Sequence, residues 1–382
     1  MERHGDRIAV RCDDGRSLTY AEFAARSDAV ARAFGPARTL VLIEAANEVE
    51  PLLAYVGAMR AGHVVLLVSG ETEADRLRNL IECYRPAAGY RKEGGEWRAW
   101  QPAKTAPALH PDLSLLLSTS GSTGSAKLVR LSRQAVEANA ASIADYLGIR
   151  ADDRAATTLP FHYSYGLSIV HSHLRQGAML LLTDRSVIDP AFRSFVTREG
   201  VTSLAGVPYT YELFERAGLR ADAPSSLRTM TQAGGRLPAE TARLYADWAA
   251  TEGVRFFVMY GQTEATARMS YMPPERLADF PGYIGVAVPG GRFQLVDDHG
   301  VEIDEPGRSG ELIYSGPNVM MGYAVTAEDL SRPAEHERLA TGDLAERNDL
   351  GLYRIVGRRS RFIKPFETVE KGLREIGVAD GW

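Results

Sequence analysis

The chain lacks most of the features that assign a class at sight. Only two cysteines, Cys12 and Cys83, occur in 382 residues, far apart and in no CxxC or Cys/His pattern. That argues against a disulfide framework and a cysteine-based zinc site. No apolar run approaches the roughly 20 residues that span a bilayer, and the opening Met1-Glu2-Arg3-His4 lacks the apolar stretch of a secretory leader. The expected location is cytoplasmic, with no membrane partner. Repeats and low-complexity segments are absent. Positive charge is not in excess: the net charge is −5, so nothing global favours nucleic acid or an anionic membrane. Any phosphate site has to be local, built from loop amides and a few cations. What is present is the composition of a globular protein, 45% hydrophobic and 24% charged. The length suffices for a large core or a few packed subdomains.

Over the first two thirds, short apolar runs alternate with amphipathic stretches. Thr19-Tyr20-Ala21-Glu22 fits a capping box opening a helix that runs to about Phe34. Leu40 to Ile43 and Val64 to Val68 read as buried strands, with a helix from Glu48 to Arg60 between them and Gly62 as its C′ residue. Further strands are expected near 113–117, 155–159, 178–182, 201–205, 227–231 and 254–258, and helices over 132–146, 166–175, 190–198, 209–216 and 238–249. This spacing predicts an α/β fold, with parallel-sheet subdomains and crossover helices. After about Gly290 the pattern changes. Phe293 to Val296, Glu311 to Tyr314 and Leu352 to Val356 are short strands between Gly/Asp/Pro turns, predicting a smaller β-rich subdomain. The expected division is 1–289, 290–357, and a hinge with a helical remnant over 358–382.

Four stretches carry chemistry. Leu115-Leu116-Leu117-Ser118-Thr119-Ser120-Gly121-Ser122-Thr123-Gly124-Ser125-Ala126-Lys127 sets hydroxyls and two glycines between a buried strand and one lysine. Glycines let the backbone turn its N–H groups toward a ligand; hydroxyls donate to phosphate oxygens, and lysine supplies a point charge for a polyphosphate. The GxxxxGK[ST] spacing of a Walker A loop is absent. Val258-Met259-Tyr260-Gly261-Gln262-Thr263-Glu264-Ala265-Thr266 also leaves a buried strand. Tyr260 offers an aromatic face, Thr263 a hydroxyl and Glu264 a carboxylate for a hard cation, although a Tyr-Gly turn before a helix with an early Glu is commonplace by itself. Thr341-Gly342-Asp343-Leu344 puts an aspartate in an expected tight turn, able to accept both hydroxyls of a ribose or to close an ordinary Asx turn. Gly357-Arg358-Arg359-Ser360-Arg361-Phe362-Ile363-Lys364 is a basic cluster, a composition common on solvated faces. Ligands of open α/β sheets sit beyond the carboxyl ends of the strands, which is where the first two stretches fall.

In this order and at these separations, the four stretches resemble the core motifs of the adenylate-forming superfamily: acyl-CoA synthetases, peptide-synthetase adenylation domains and beetle luciferases. Leu18-Thr19-Tyr20, Gly234-Gly235, Gly310-Glu311-Leu312 and Gly322-Tyr323 add to the resemblance, which covers about residues 7–364. It implies the fold of an adenylate-forming N-terminal domain and an enzyme that uses ATP and Mg2+ to adenylate a small acid, releasing pyrophosphate. By similarity, Thr119, Ser120, Ser122, Thr123 and Lys127 would hold the β- and γ-phosphates, and Glu264 the Mg2+. Gly234, Gly235 and Tyr260 would enclose adenine, Thr263 would touch the α-phosphate, and Asp343 would take the ribose hydroxyls with Arg358 nearby. Ser118, Gly121, Gly124, Gly261 and Gln262 complete the implied nucleotide site; Thr119, Lys127, Thr263 and Glu264 are its implied catalytic members.

The acid pocket is expected between Leu159–Gly166, Val207-Pro208-Tyr209 and Gly234, lined by His162, Tyr163, Ser164, Tyr165, Val207 and Tyr209. Its aromatic and hydroxyl content favours a modest, partly polar or aromatic acid over a long acyl chain. His162 fits either a substrate contact or a hydrogen-bonded core histidine. His171 and His173, on an expected helix without acidic or cysteine partners, read as structural. The superfamily's chemistry extends to inorganic oxyacids such as nitrite. Its second half-reaction normally passes the acyl group to CoA, a carrier-protein thiol or an amine.

Three departures from the resemblance matter. Ala126-Lys127-Leu128 stands where the superfamily usually has Pro-Lys-Gly, and Ser360 where the hinge is usually Asp or Lys. The superfamily also carries a mobile C-terminal domain, of roughly 100 residues or more, which supplies a lysine bridging acid and ATP. Here 18 residues follow Lys364, with Val369, Leu373 and Ile376 on one face of an expected helix. Two explanations stand: a shortened chain, or a naturally minimal protein that has lost or borrows the mobile domain. The competing functional reading is a non-catalytic module that binds ATP or acyl-AMP and acts through a partner.

Overall fold

The computed structural model describes residues 2–103, 105–118 and 127–359. Among them, three sheets are built. One has seven strands, with a parallel centre made of Leu113–Ser118, Val64–Ser69, Leu40–Ala45 and Ala88–Glu93. A second has nine, with a parallel centre running Arg255–Tyr260, Thr229–Gln232, Ser203–Gly206, Arg154–Ala156, Met179–Leu182 and Ile8–Cys12. The third is a four-stranded antiparallel sheet of Arg292–Val296, Gly310–Ser315, Arg338–Arg347 and Tyr353–Arg358.

The strands explain the layering. Along Leu40–Ala45 the pleat sends Val41 and Ile43 to one buried cluster and Leu40 and Leu42 to another. A strand covered on both faces therefore reads as an unbroken apolar run. The first cluster joins both large sheets through the helices Tyr20–Ala31, Val49–Arg60, Arg133–Tyr146 and Ser164–Gln176. Val49–Arg60 is buried nearly all round, as befits a helix between two layers. Thr19 and Glu22 close the expected capping box. Helices Pro190–Arg198, Pro208–Arg216 and Ala239–Glu252 cover the outer face of the nine-stranded sheet, and Ala74–Tyr84 covers the outer face of the seven-stranded one. No helix among the described residues is long and apolar enough to cross a membrane.

Two differences from the sequence-based expectation bear on the site. The loop ending at Lys127 connects two antiparallel neighbours, Leu113–Ser118 and Leu128–Ser132, before the helix begins. A further short strand, Gly322–Ala324, then adds to the edge beside Leu128–Ser132. The helix Ala74–Tyr84 and the hairpin Ala88–Glu93/Glu96–Trp100 also escaped the periodic reading. The helix does carry an apolar period, Leu77, Leu80, Ile81 and Tyr84, in an otherwise mostly polar stretch. The hairpin did leave a sign in Gly94-Gly95, both at positive φ (59° and 86°), the pair that tight two-residue turns require.

Candidate functional site

The small sheet meets the nine-stranded sheet at the end of Arg255–Tyr260, and Asp343 lies at that junction. The sequence places Asp343 in a tight turn; the structure instead sets it inside the ten-residue strand Arg338–Arg347. Glu311 pairs with Leu344 and Ile313 with Ala340, so Thr341, Gly342 and Asp343 form a bulge opposite Leu312. Gly342 takes φ +71° there, a conformation that suits a residue without Cβ. Thr341 Oγ1 donates to the Leu312 carbonyl (2.8 Å) and accepts from the Asp343 N–H (3.1 Å). The outcome is a carboxylate only 5% exposed and fully addressed. Asp343 Oδ2 accepts from the Tyr260 hydroxyl (2.6 Å) and from Gln262 Nε2 (3.0 Å), and Oδ1 accepts from Arg358 Nε (2.8 Å). Burial and the adjacent carboxylate hold the Tyr260 phenol well above its usual range, so it is a donor at neutral pH.

After Tyr260 the chain turns sharply. A Cβ on Gly261 would run into the Ala267 carbonyl. Thr263–Ala265 makes a single 3-10 turn, and Thr266 follows at φ +56°. A β-branched residue in that region is a true outlier, held here by Thr266 Oγ1 donating to the Asn318 carbonyl (2.8 Å). This loop carries Thr263 to within 3.2 Å of the Ser164 hydroxyl, at the start of the helix Ser164–Gln176. It also places Glu264, whose Oε1 accepts from the Tyr323 hydroxyl (2.8 Å). Lys127 Nζ rests 3.4 Å from the centroid of the same Tyr323 ring. Ser118 is exposed at the end of its strand.

The third wall is formed by Gly234 and its neighbours. Gly234 has φ +78°, and a Cβ there would overlap the Tyr163 hydroxyl and lie 3.0 Å from Val207 Cγ1. The turn is braced from below by Gln232, fully buried, whose Nε2 donates to the Ala233 (3.1 Å) and Gly235 (2.9 Å) carbonyls. Gly234 and Gly235 themselves are exposed. Tyr163 stands edge-on to Tyr165, with ring centroids 6.3 Å apart. His162 is half-buried, and its Nδ1 has no hydrogen-bond partner. Burial lowers its pKa, so the ring is neutral near pH 7.

The structure thus gathers Tyr260, Gln262, Asp343 and Arg358 into one cluster, joins Lys127 to Glu264 through Tyr323, and sets Thr263 on Ser164. Tyr165 is buried, with its hydroxyl 2.8 Å from Thr231 Oγ1, and Tyr209 is 59% exposed. Thr119, Ser120, Gly121, Ser122, Thr123 and Gly124 lie outside the described residues, as do Ser360, Lys364 and the expected terminal helix. His171 and His173 have local partners: the Tyr55 hydroxyl (2.7 Å) and the Ile169 carbonyl (2.9 Å). Sequence reasoning missed Gln232 and the buried Arg130 and Arg268. Arg130 did leave a signal, a lone charge within the apolar run Leu128-Val129-Arg130-Leu131. Arg268 is 2% exposed and held without a carboxylate among the described residues, by Ser168 Oγ, the Tyr146 hydroxyl and the face of Tyr165. The segment 260–266 links these groups: Tyr260 and Gln262 reach Asp343, Thr263 reaches Ser164 beside Tyr163, and Glu264 reaches Tyr323.

The profile of the family described as AMP-binding enzyme matches residues 1–88 and 84–324. Among individual relatives, a feruloyl-CoA synthase of Amycolatopsis sp is 31% identical over 65% of this chain and 50% of its own length. An L-proline–[L-prolyl-carrier protein] ligase of Streptomyces coelicolor is 28% identical over 95% of this chain and 79% of its own. The chain spans about half the length of the first of these relatives. Among solved structures, VinN superposes with a TM-score of 0.78 at 25% identity, covering 93% of this chain and 96% of VinN. The O-succinylbenzoate coenzyme A synthetase of Bacillus subtilis in complex with AMP superposes at 0.76 and 24% identity, covering 93% and 76%, and supports the fold alone.

Proposed function

This chain belongs to the AMP-binding enzyme family, and from that premise we propose that it condenses a small acid with ATP to give an acyl adenylate and pyrophosphate. The observation that carries the reading is the buried Asp343 carboxylate flanked by Tyr260, Gln262 and Arg358. Three donors, on two sheets and the loop between them, converge on one acceptor, and an anionic acceptor at the strand ends suits the vicinal hydroxyls of a ribose. The exposed Gly234-Gly235 turn, packed close on Tyr163 on its other side, suits a flat base beside the Tyr260 ring. These residues fit an adenine nucleotide.

In this reading Lys127, with Ser118 and the hydroxyl and glycine residues from Thr119 to Gly124, neutralises and cradles the polyphosphate. Thr263 sits at the α-phosphate, and Glu264 would hold Mg2+. The ion, when bound, supplies neutralisation of charge on the phosphates. An acid oxygen attacks the α-phosphorus and pyrophosphate departs, so the protein's work is positioning and electrostatic stabilisation. The acid lies between His162, Tyr163, Ser164, Val207, Tyr209 and Gly234. A neutral, half-buried His162 beside Tyr163 suits an uncharged aromatic lining, and the Tyr163 ring shortens the pocket in favour of a small or aromatic acid. In this reading the nucleotide-binding domain is taken to run to about 357. Transfer to CoA, a carrier-protein thiol or an amine is the proposed second half-reaction.

The test is ATP–pyrophosphate exchange over a panel of acids that includes aromatic carboxylates and nitrite, with Glu264→Gln as control. We expect exchange with at least one acid and a loss of about 100-fold or more in the variant, by analogy with removal of one electrostatic contact to a developing charge. A variant rate close to wild type would remove Glu264 from the role. ATP binding without exchange for any acid would replace the enzyme reading with that of a nucleotide-binding module.

A further inference from the structure

Tyr323 makes two contacts that link residues far apart in the chain. Its hydroxyl donates to Glu264 Oε1 at 2.8 Å, and its ring face carries Lys127 Nζ at 3.4 Å from the centroid. Neither Lys127 nor Glu264 makes an ion pair with another described residue. One side chain therefore holds a cation by its face and an anion by its edge.

The position of that side chain is fixed from two sides. Gly322–Ala324 pairs antiparallel with the strand that follows Lys127, with Tyr323 opposite Val129. Arg130, 0% exposed, locks the pairing. Its Nε donates to the Tyr323 carbonyl (3.2 Å), its Nη1 to the Arg332 carbonyl (2.6 Å), and its Nη2 to the Met321 carbonyl (3.1 Å) and to Glu335 (2.6 Å). A Cβ on Gly322 would lie 2.7 Å from Glu335 Oε2 and 2.8 Å from Arg130 Nη2, so the clamp needs glycine there. From the other side the Met320 N–H donates to the Glu264 carbonyl (2.8 Å). Tyr323 is half-buried, and its bracing has a chemical use. An ammonium and a carboxylate that share a site attract each other, and once paired they neutralise each other.

We propose that Tyr323 is a positioning residue that holds Lys127 and Glu264 apart and in register, so that both charges stay available to a polyphosphate and its divalent cation. The second half of that statement rests on the nucleotide reading above. The ring serves Lys127 and the hydroxyl serves Glu264, so two substitutions separate the two roles. Tyr323→Phe keeps the ring and removes the hydroxyl; Tyr323→Leu removes both.

The experiment uses the full chain. Lys127 modification by an amine-acylating reagent is followed in ligand-free protein by peptide mass spectrometry, and ATP binding is measured calorimetrically with Mg2+ and with chelator. Tyr323→Leu is expected to raise the Lys127 modification rate about five-fold, the scale of a lost cation–π contact, while Tyr323→Phe stays within about two-fold of wild type. Tyr323→Phe is expected to lower the Mg2+-dependent gain in ATP affinity about ten-fold, the scale of a hydrogen bond to a charged group, with chelator-measured affinity unchanged. Two variants indistinguishable from wild type in both readouts would overturn the proposal. So would Tyr323→Phe matching Tyr323→Leu in Lys127 modification, because a general packing role makes no split. The expected labelling pattern in a wild-type chain that binds no ATP would support the brace and overturn the nucleotide reading.

Discussion

Gly234→Ala tests the proposed wall between base and acid. The left-handed conformation at φ +78° costs an alanine about 1–2 kcal/mol. The new methyl also overlaps the Tyr163 hydroxyl and meets Val207 Cγ1 at 3.0 Å, whereas the phenol Cζ is at an ordinary 3.5 Å. Overpacking of this kind costs about 1–3 kcal/mol. Loss of glycine's freedom in the unfolded chain returns about 0.4–1 kcal/mol. The net expectation is a destabilisation of about 1–5 kcal/mol, read as a shift in the urea midpoint at unchanged m-value. The two contributions separate in a second background. Tyr163→Phe removes the overlapping atom and leaves the backbone strain, so Gly234→Ala should cost at least about 1 kcal/mol less there. The acid KM in pyrophosphate exchange should recover in parallel, since the ring no longer has to swing out of the pocket. Additivity of the two substitutions to within about 0.5 kcal/mol, with no recovery of KM, would refute the contact and with it the short-pocket reading.

Asp343→Asn keeps the shape but turns an anionic acceptor of three hydrogen bonds into a neutral amide; ATP affinity measured by calorimetry should fall about 10- to 100-fold, the scale of a hydrogen bond to a charged group. Tyr260→Phe keeps the ring and leaves Asp343 charged with two of its three donors, so it should cost less, under about ten-fold; equal effects would separate Asp343 from the ribose. His173 gives a pH signature. Burial lowers its pKa from 6.5 to about 4, so between these values the unfolded chain binds more protons than the folded one. Its contribution is therefore complete above about pH 6.5 and is lost as pH falls toward 4, at up to about 1.4 kcal/mol per pH unit. Denaturant unfolding of His173→Gln against wild type across that window should show the slope reduced; identical slopes would reject the assignment.

The sequence announced the parallel layers clearly because their strands are apolar on both faces and their helices are period-rich. Pro190–Arg198 falls where the alternation puts it, and the capping box at Thr19 and Glu22 closes as written. Gly322–Ala324 was not legible because it is too short to show a period, whereas Ala74–Tyr84 carries its period in Leu77, Leu80, Ile81 and Tyr84. The placement of Asp343 could not be read locally. Thr-Gly-Asp has the chemistry of a turn, and only pairing with Gly310–Ser315 converts it into a strand bulge. For the same reason Tyr323 had no visible role, since its two partners come from Lys127 and Glu264, brought near by the sheet edge and not by spacing along the chain.

The bulge around Asp343 has a further property in its arithmetic. Between Leu344 and Ala340 the strand advances four residues while its partner advances two, from Glu311 to Ile313. The surplus is even. Because side chains alternate with a period of two, an even surplus leaves the pleat in phase, and both flanks of the strand keep their inner and outer faces. Loss of one residue here inverts every face downstream, from Ala345 in the core outward. Loss of two restores a regular ladder that packs as well as before but no longer aims a carboxylate at Tyr260. Length variation at this point is thus divided by parity into changes that destroy the sheet and changes that leave a sound sheet with no acceptor.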